Sequence, residues 1–211
     1  MTTGKSEVGV AGYILAGGGS TRFGRDKALV EFGGQSMLAR TIELMQHATK
    51  KIRIVGSPEK YAEFGIKIIG DRWPGEGPLG GIITALEDAA ENAEKSRWSL
   101  MVSCDMPFLT EDWLKFLAER AARSRAQVVL PHSASGPEPL CACYRTDAAS
   151  ALRAAFETGV RKITDALKHV STEVLDETDW KRFDSAGRLF WNINTSADYE
   201  KAHRILDAGQ R

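Results

Sequence analysis

Apolar residues along the chain fall into short β runs separated by stretches with helical spacing. Residues 8–15 are an almost unbroken apolar run ending beside glycines, which reads as a first strand buried on both faces. Leu38, Ile42 and Met45 then recur at helical spacing, predicting a helix over 36–48 with Ser36 as its N-cap. Strands are predicted at 51–55, 66–69, 98–103, 127–130 and 140–144. Helices are predicted at 79–93, after Gly77 and Pro78, and at 110–123, capped by Thr110 with Trp113, Leu114 and Leu117 inward. The tail reads as helices at 147–157 and 160–169, strands at 173–175 and 189–193, and a last helix from Ser196. Strands alternating with helices predict an α/β fold: a doubly wound, mostly parallel, Rossmann-like sheet covered on both faces, with ligands at the carboxyl ends of the strands.

No repeat, low-complexity tract or linker divides the 211 residues, so one domain is expected over 1–211, with residues 1–9 flexible. Lys+Arg and Asp+Glu are 28 each, so no net basic field invites nucleic acid. The start of the chain carries Lys5 and Glu7 without an apolar core, which argues against a signal peptide. The apolar stretch at 8–16 is half a membrane span and includes Gly9 and Gly12, so no membrane association is expected and the chain reads as cytoplasmic. Three cysteines, Cys104, Cys141 and Cys143, without a CxxC pair suit core positions better than a disulfide framework or a zinc ribbon. The four histidines show no paired metal-ligand spacing.

The chemistry concentrates in loops. After the first strand comes Leu15-Ala-Gly-Gly-Gly-Ser-Thr-Arg-Phe-Gly-Arg-Asp-Lys27. Three consecutive glycines let the backbone aim N–H groups at an anion, and Arg22, Arg25 and Lys27 add cations. Gly24 is followed by Arg25-Asp26, so this is not a P-loop, and Arg22 replaces the third glycine of a dinucleotide fingerprint. The alternative is a surface loop whose cations only face water. Asp105, in Cys104-Asp-Met-Pro107 after the fourth apolar strand, is placed to hold Mg²⁺; the alternative is a helix cap, which Thr110 already offers. Gly70-Asp-Arg72 and the turn from Gly75 to Gly81 follow the third strand, and the turn also reads simply as a helix start. Asn192-Ile-Asn-Thr195 closes the last predicted strand, where alternation would put Asn192 and Asn194 on one face, two amides needing partners.

The first loop resembles the signature of the nucleotidyltransferase family that contains molybdenum cofactor guanylyltransferase. The match extends through the Cys-Asp-x-Pro segment, Glu138-Pro-Leu and Asn192-x-Asn-Thr195, and covers residues 12–199. The resemblance implies transfer of GMP from GTP to the phosphate of molybdopterin, or Mo-molybdopterin, with release of pyrophosphate and Mg²⁺ as cofactor. It implies a nucleotide site at Leu15, Ala16, Gly17, Gly18, Gly19, Lys27, Asp71, Pro78, Leu79, Gly80 and Asp105. Catalysis would rest on Arg22, Lys27 and Asp105, and metal binding on Asp105 with Asn194 as a second ligand. The pterin would meet Asn192, Asn194, Arg161 and Lys162, although a solvated turn explains the basic pair equally. Molybdenum-insertion proteins and molybdoenzyme chaperones are implied partners. The alternatives are a molybdopterin cytidylyltransferase, a sugar-phosphate nucleotidyltransferase, a nucleotide-sugar glycosyltransferase or a regulator without turnover. The missing Asp-x-Asp at Asp105-Met-Pro107 counts against the glycosyltransferase, and the intact Arg22, Lys27 and Asp105 set against the regulator.

Overall fold

The computed structural model describes residues 9–17, 26–92, 96–184 and 186–209. Among the described residues, the strands are β1 Val10–Ala16, β2 Glu31–Phe32, β3 Gln35–Ser36, β4 Lys51–Gly56, β5 Lys67–Ile69, β6 Trp98–Ser103, β7 Val128–Ser133, β8 Gly136–Pro137, β9 Cys141–Arg145 and β10 Thr172–Leu175. The helices are α1 Met37–Ala48, α2 Pro58–Tyr61, α3 Pro78–Glu91, α4 Glu111–Arg123, α5 Ala149–Glu157, α6 Ile163–Ala166, α7 Glu177–Trp180 and α8 Ser196–Gly209. The main sheet has the order β10-β7-β9-β6-β1-β4-β5, with β8 paired to β7.

β1 lies in the middle, parallel to both β4 and β6. Its side chains alternate between two cores, which explains an apolar run without polar breaks. Ile14 and Ala16 join Leu38, Ile42 and Met45 of α1 and Trp113, Leu114 and Leu117 of α4. Tyr13 and Leu15 join Leu79, Ile82 and Leu86 of α3 and Leu152 and Phe156 of α5 on the other face. Both predicted caps form: Ser36 Oγ accepts from Ala39 N (3.2 Å) and Thr110 Oγ1 from Trp113 N (3.3 Å). β9 runs antiparallel between β6 and β7, making the sheet mixed. Cys141 and Cys143 share its α4-facing side, and all three cysteines are buried. Among the described residues no helix is long and apolar enough to cross a membrane.

Two expectations fail in the tail, and the first crossover holds an element not expected from sequence. Residues 189–193 form turns and irregular chain rather than a strand. The N–H groups of Arg188 and Leu189 donate to the Asp184 carboxylate, and that of Ile193 to the Asp105 carbonyl, so no strand ladder takes them. The run is apolar because Leu189 and Phe190 enter the α4-side core, while Ile193 joins a third cluster with Phe32, Met37 and Ala202. The helix expected at 160–169 shrinks to α6 and one 3-10 turn, Leu167–His169. Gly159, at φ 97°, closes the end of α5 and leaves Arg161 and Lys162 in the loop. The β2–β3 hairpin, unforeseen, turns on Gly33 and Gly34, both with positive φ (65° and 87°).

Candidate active site

From β1 the chain proceeds outward to β4 and β5, then returns to place β6 on β1's opposite edge. The carboxyl ends of β1 and β6 therefore flank the switch point where an open α/β sheet forms its crevice. Leu15 pairs with Ser103 in register, bringing Gly17 and Asp105 to the same end of neighbouring strands.

Lys27 reaches this crevice because Asp26 holds the returning loop. Asp26 Oδ1 accepts from Ala28 N (3.1 Å), capping the 3-10 turn Lys27–Leu29, and Oδ2 accepts from the Tyr61 hydroxyl (3.0 Å) and Lys60 Nζ (3.3 Å). The Lys27 ammonium donates to Asn194 Oδ1 at 2.9 Å and lies 3.8 Å from Asp105 Oδ2. Asp105 Oδ1 is buried and has no hydrogen-bond partner among the described residues. A buried anionic oxygen left unpaired is expensive unless a cation or donor meets it. The Asn194 segment is tied to Asp105 by the Ile193 N–H on the Asp105 carbonyl (2.9 Å).

Asp198 fixes Asn194 from behind. Its Oδ2 accepts from Asn194 N (3.0 Å), Thr195 N (2.8 Å) and Thr195 Oγ1 (2.9 Å). Burial alone would raise its carboxyl, but these hydrogen bonds and nearby Lys27 outweigh it and hold it below the ordinary aspartate range. Asn192 does not accompany Asn194: its side-chain amide donates to the Phe190 carbonyl (3.2 Å) within its own loop. With no strand there, the two amides do not share a face.

On the other side of the β1 tip, a solvent-open cleft is lined by Gly17, Gly56, Ser57, Asp71, Pro74 and Pro78, among others. Asp71 Oδ1 accepts from Trp73 N (3.0 Å) and Thr84 Oγ1 (3.3 Å), while its Oδ2 takes no hydrogen bond among the described residues. Gly56 is obligatory, since a Cβ there would sit 2.2 Å from the Ala16 carbonyl oxygen.

The sequence matches the MobA-like NTP transferase domain family over residues 12–171. The chain belongs to that family. A molybdenum cofactor guanylyltransferase of Syntrophotalea carbinolica is 30% identical over 192 residues, 90% of this chain and 89% of the relative. A probable molybdenum cofactor guanylyltransferase of Clostridium perfringens is 31% identical over 190 residues, 89% of this chain and 92% of the relative. The crystal structure of molybdopterin-guanine dinucleotide biosynthesis protein A from Archaeoglobus fulgidus superposes with a TM-score of 0.80 at 26% identity, covering 94% of this chain and all of that one. The fold is that of a single-domain nucleotidyltransferase, and the chain is an enzyme of that class.

Within this nucleotidyltransferase scaffold, the residues expected from sequence sort into groups. Lys27, Asp105 and Asn194 converge at one end of the crevice, and Gly17, Asp71 and Pro78 line the cleft beside it. Leu15, Ala16 and Leu79 pack in the cores beneath. Gly80 is buried against Trp73, whose Cβ would lie 3.1 Å from an added Cβ, so its smallness serves packing of the loop. Gly18, Gly19 and Arg22 lie outside the described residues. Arg161 sits against the loop before α3: its Nε donates to Glu76 Oε2 (2.7 Å) and its Nη1 to the Phe156 carbonyl (2.7 Å), over the Phe156 ring at 4.0 Å. Lys162 is exposed at the N-cap of α6. Sequence reasoning gave no role to Asp26, Glu76 or Asp198. The Thr195-x-x-Asp198 spacing before a helix was the one available signal.

The unpaired Asp105 oxygen and the Asn194 carbonyl are hard oxygen donors, and they fit a divalent cation. Among the described residues no group of three or more His, Cys, Asp or Glu side chains could hold a metal, so further ligands must come from phosphate and water.

Proposed function

We propose that the chain transfers GMP from GTP to the terminal phosphate of molybdopterin, releasing pyrophosphate, with Mg²⁺ as the cation. The observation that carries this reading is the convergence of Lys27, Asp105 and Asn194 at the switch point, next to a cleft walled by Asp71 and Pro78. The acceptor is a phosphate oxygen that is already anionic, so its attack needs no general base. The protein's task is to align two anions and offset charge at the α-phosphorus. Lys27 supplies a fixed ammonium for phosphate oxygens. Gly17 has open space where a Cβ would stand, so phosphate and backbone can approach closely. Asp71 Oδ2 offers an anionic acceptor to the Watson–Crick edge of guanine, which presents two N–H donors; cytosine presents one. Mg²⁺ held by Asp105 and Asn194 would supply charge neutralisation across the phosphates. Arg161 and Lys162 offer cations to the pterin substrate's phosphate. The proposed setting is the cytoplasm.

The experiment is pyrophosphate release with molybdopterin and each of GTP, ATP, CTP and UTP. GTP should support the fastest turnover. Faster turnover with CTP would reassign the chain as a cytidylyltransferase, and turnover only with sugar phosphates would move it to that branch.

A further inference from the structure

The ammonium of Lys27 occupies the Asn194 oxygen that the cation needs and stands beside the Asp105 carboxylate. It donates to Asn194 Oδ1 at 2.9 Å and lies 3.8 Å from the carboxylate of Asp105. Asp105 and Lys27 are each only about one-fifth exposed, so their charges are not fully screened by water. The protein brings few ligands of its own, with no larger acidic or histidine cluster among the described residues. A divalent cation approaching Asp105 and Asn194 without other ligands must therefore displace Lys27 or share its oxygens with it against mutual repulsion.

We infer that Lys27 competes with the divalent cation for Asn194 and Asp105, so that the cation is bound tightly only when nucleotide phosphates draw the lysine away. This rests on the proposed nucleotide chemistry and adds an order of events to it. Phosphate oxygens are stronger partners for an ammonium than a neutral amide oxygen, because the hydrogen bond is charged on both sides. Moving Lys27 onto them frees the Asn194 carbonyl and removes a positive charge from the cation's surroundings. The phosphates also complete a ligand set that the chain leaves short. The coupling is reciprocal: whatever tightens cation binding through nucleotide tightens nucleotide through cation by the same factor. Lys27 thereby guards against a premature metal and serves the phosphates afterwards.

The test is Mn²⁺ binding to the full-length, nucleotide-free protein, read from the electron paramagnetic resonance signal of free Mn²⁺. Lys27→Met should bind Mn²⁺ about tenfold or more tightly than the wild type, as expected when a positive charge leaves a partly buried site. Lys27→Ala serves as a second variant, and circular dichroism checks the fold of both. The gain should vanish in Lys27→Met/Asp105→Asn, which lacks the anionic ligand. It should persist in 1 M KCl, where the screening length is about 3 Å and only direct contact competition survives. Equal or weaker Mn²⁺ binding by both Lys27 variants would overturn the inference. So would a gain that disappears in 1 M KCl or that ignores the loss of Asp105. None of these measurements contains GTP or molybdopterin, whereas failure of the proposed function would appear as absent turnover in the wild type.

Discussion

Replacing Asp198 by alanine tests whether the loop carrying Asn194 is built or merely tethered. One carboxylate oxygen takes three hydrogen bonds, from Asn194 N, Thr195 N and Thr195 Oγ1, and Thr195 Oγ1 accepts in return from Asp198 N at 3.1 Å. This reciprocal arrangement caps the start of α8. The affected N–H groups lie at exposed residues and can be rehydrated, so the loss should be about 1 kcal/mol, the usual value of a helix cap. In a chain of this size that lowers the melting temperature by about 2–4 °C. The pH dependence has a definite sign. Asp198 is held below its ordinary value of 3.8 by its hydrogen bonds and Lys27, against the opposing effect of burial. Its stabilisation is therefore complete above the unfolded-chain value and disappears as pH falls through the lower folded one. Thermal melts of wild type and Asp198→Ala from pH 7 to pH 3 should show a constant gap down to about pH 5 that narrows below pH 4. The absence of a gap at pH 7, or a gap that widens on acidification, would refute the reasoning. Calorimetry at pH 7 should also show weaker binding of GTP with Mg²⁺, because Asn194 has lost its backbone anchor.

Asp105→Asn should keep the fold, since its side chain belongs to neither core, while lowering turnover by about two orders of magnitude or more; thermal melts and pyrophosphate release check both. Gly56→Ala and Gly70→Ala line the same cleft yet should differ sharply. The first drives a Cβ to 2.2 Å from the Ala16 carbonyl and should cost about 1–3 kcal/mol in urea unfolding, whereas the second meets nothing within 4 Å and should be near neutral. Gly17→Ala likewise meets nothing within 4 Å, so its stability should hold while GTP affinity falls, a split that isothermal calorimetry beside urea titration would expose. Glu76→Gln should raise the KM for molybdopterin more than that for GTP, because it releases the 2.7 Å partner that orients Arg161.

What the sequence made legible was whatever lay next to the element that explains it. The continuous apolar runs of β1 and β6, the Ser36 and Thr110 caps, and the loops bearing Gly17, Asp71 and Asp105 follow from neighbours within a few residues. The segment at 189–195 misled because periodicity reports where side chains are buried and says nothing of where N–H groups go. Phe190 stands edge-on to Trp113 and Trp180, at 5.5 Å from each, which accounts for an apolar run without any strand. Asp26 holding Tyr61, or Glu76 holding Arg161 from 85 residues away, left no local signature. The basic pair Arg161-Lys162 was visible as a motif, but the attachment of Arg161 to the loop before α3 depended on how α5 packs against α3.

The topology explains why two halves of a site can meet with few residues. β1 is buried on both faces and flanked on both edges by parallel strands, which fixes its carboxyl end between β4 and β6. β4 and β5 leave on one side and carry Gly56 and Asp71 into the cleft; β6 arrives on the other and carries Asp105. The chain that leaves β1 at Gly17 returns at Asp26, anchored to Tyr61 of α2, and delivers Lys27 to Asp105 and Asn194. A nucleotide lying across that tip, as proposed, would place its base against the β5 side and its phosphates beside β6. Base choice and phosphate chemistry would then rest on separate crossovers, so a change of base preference through the Asp71 loop need not disturb the Lys27–Asp105 geometry on which transfer depends.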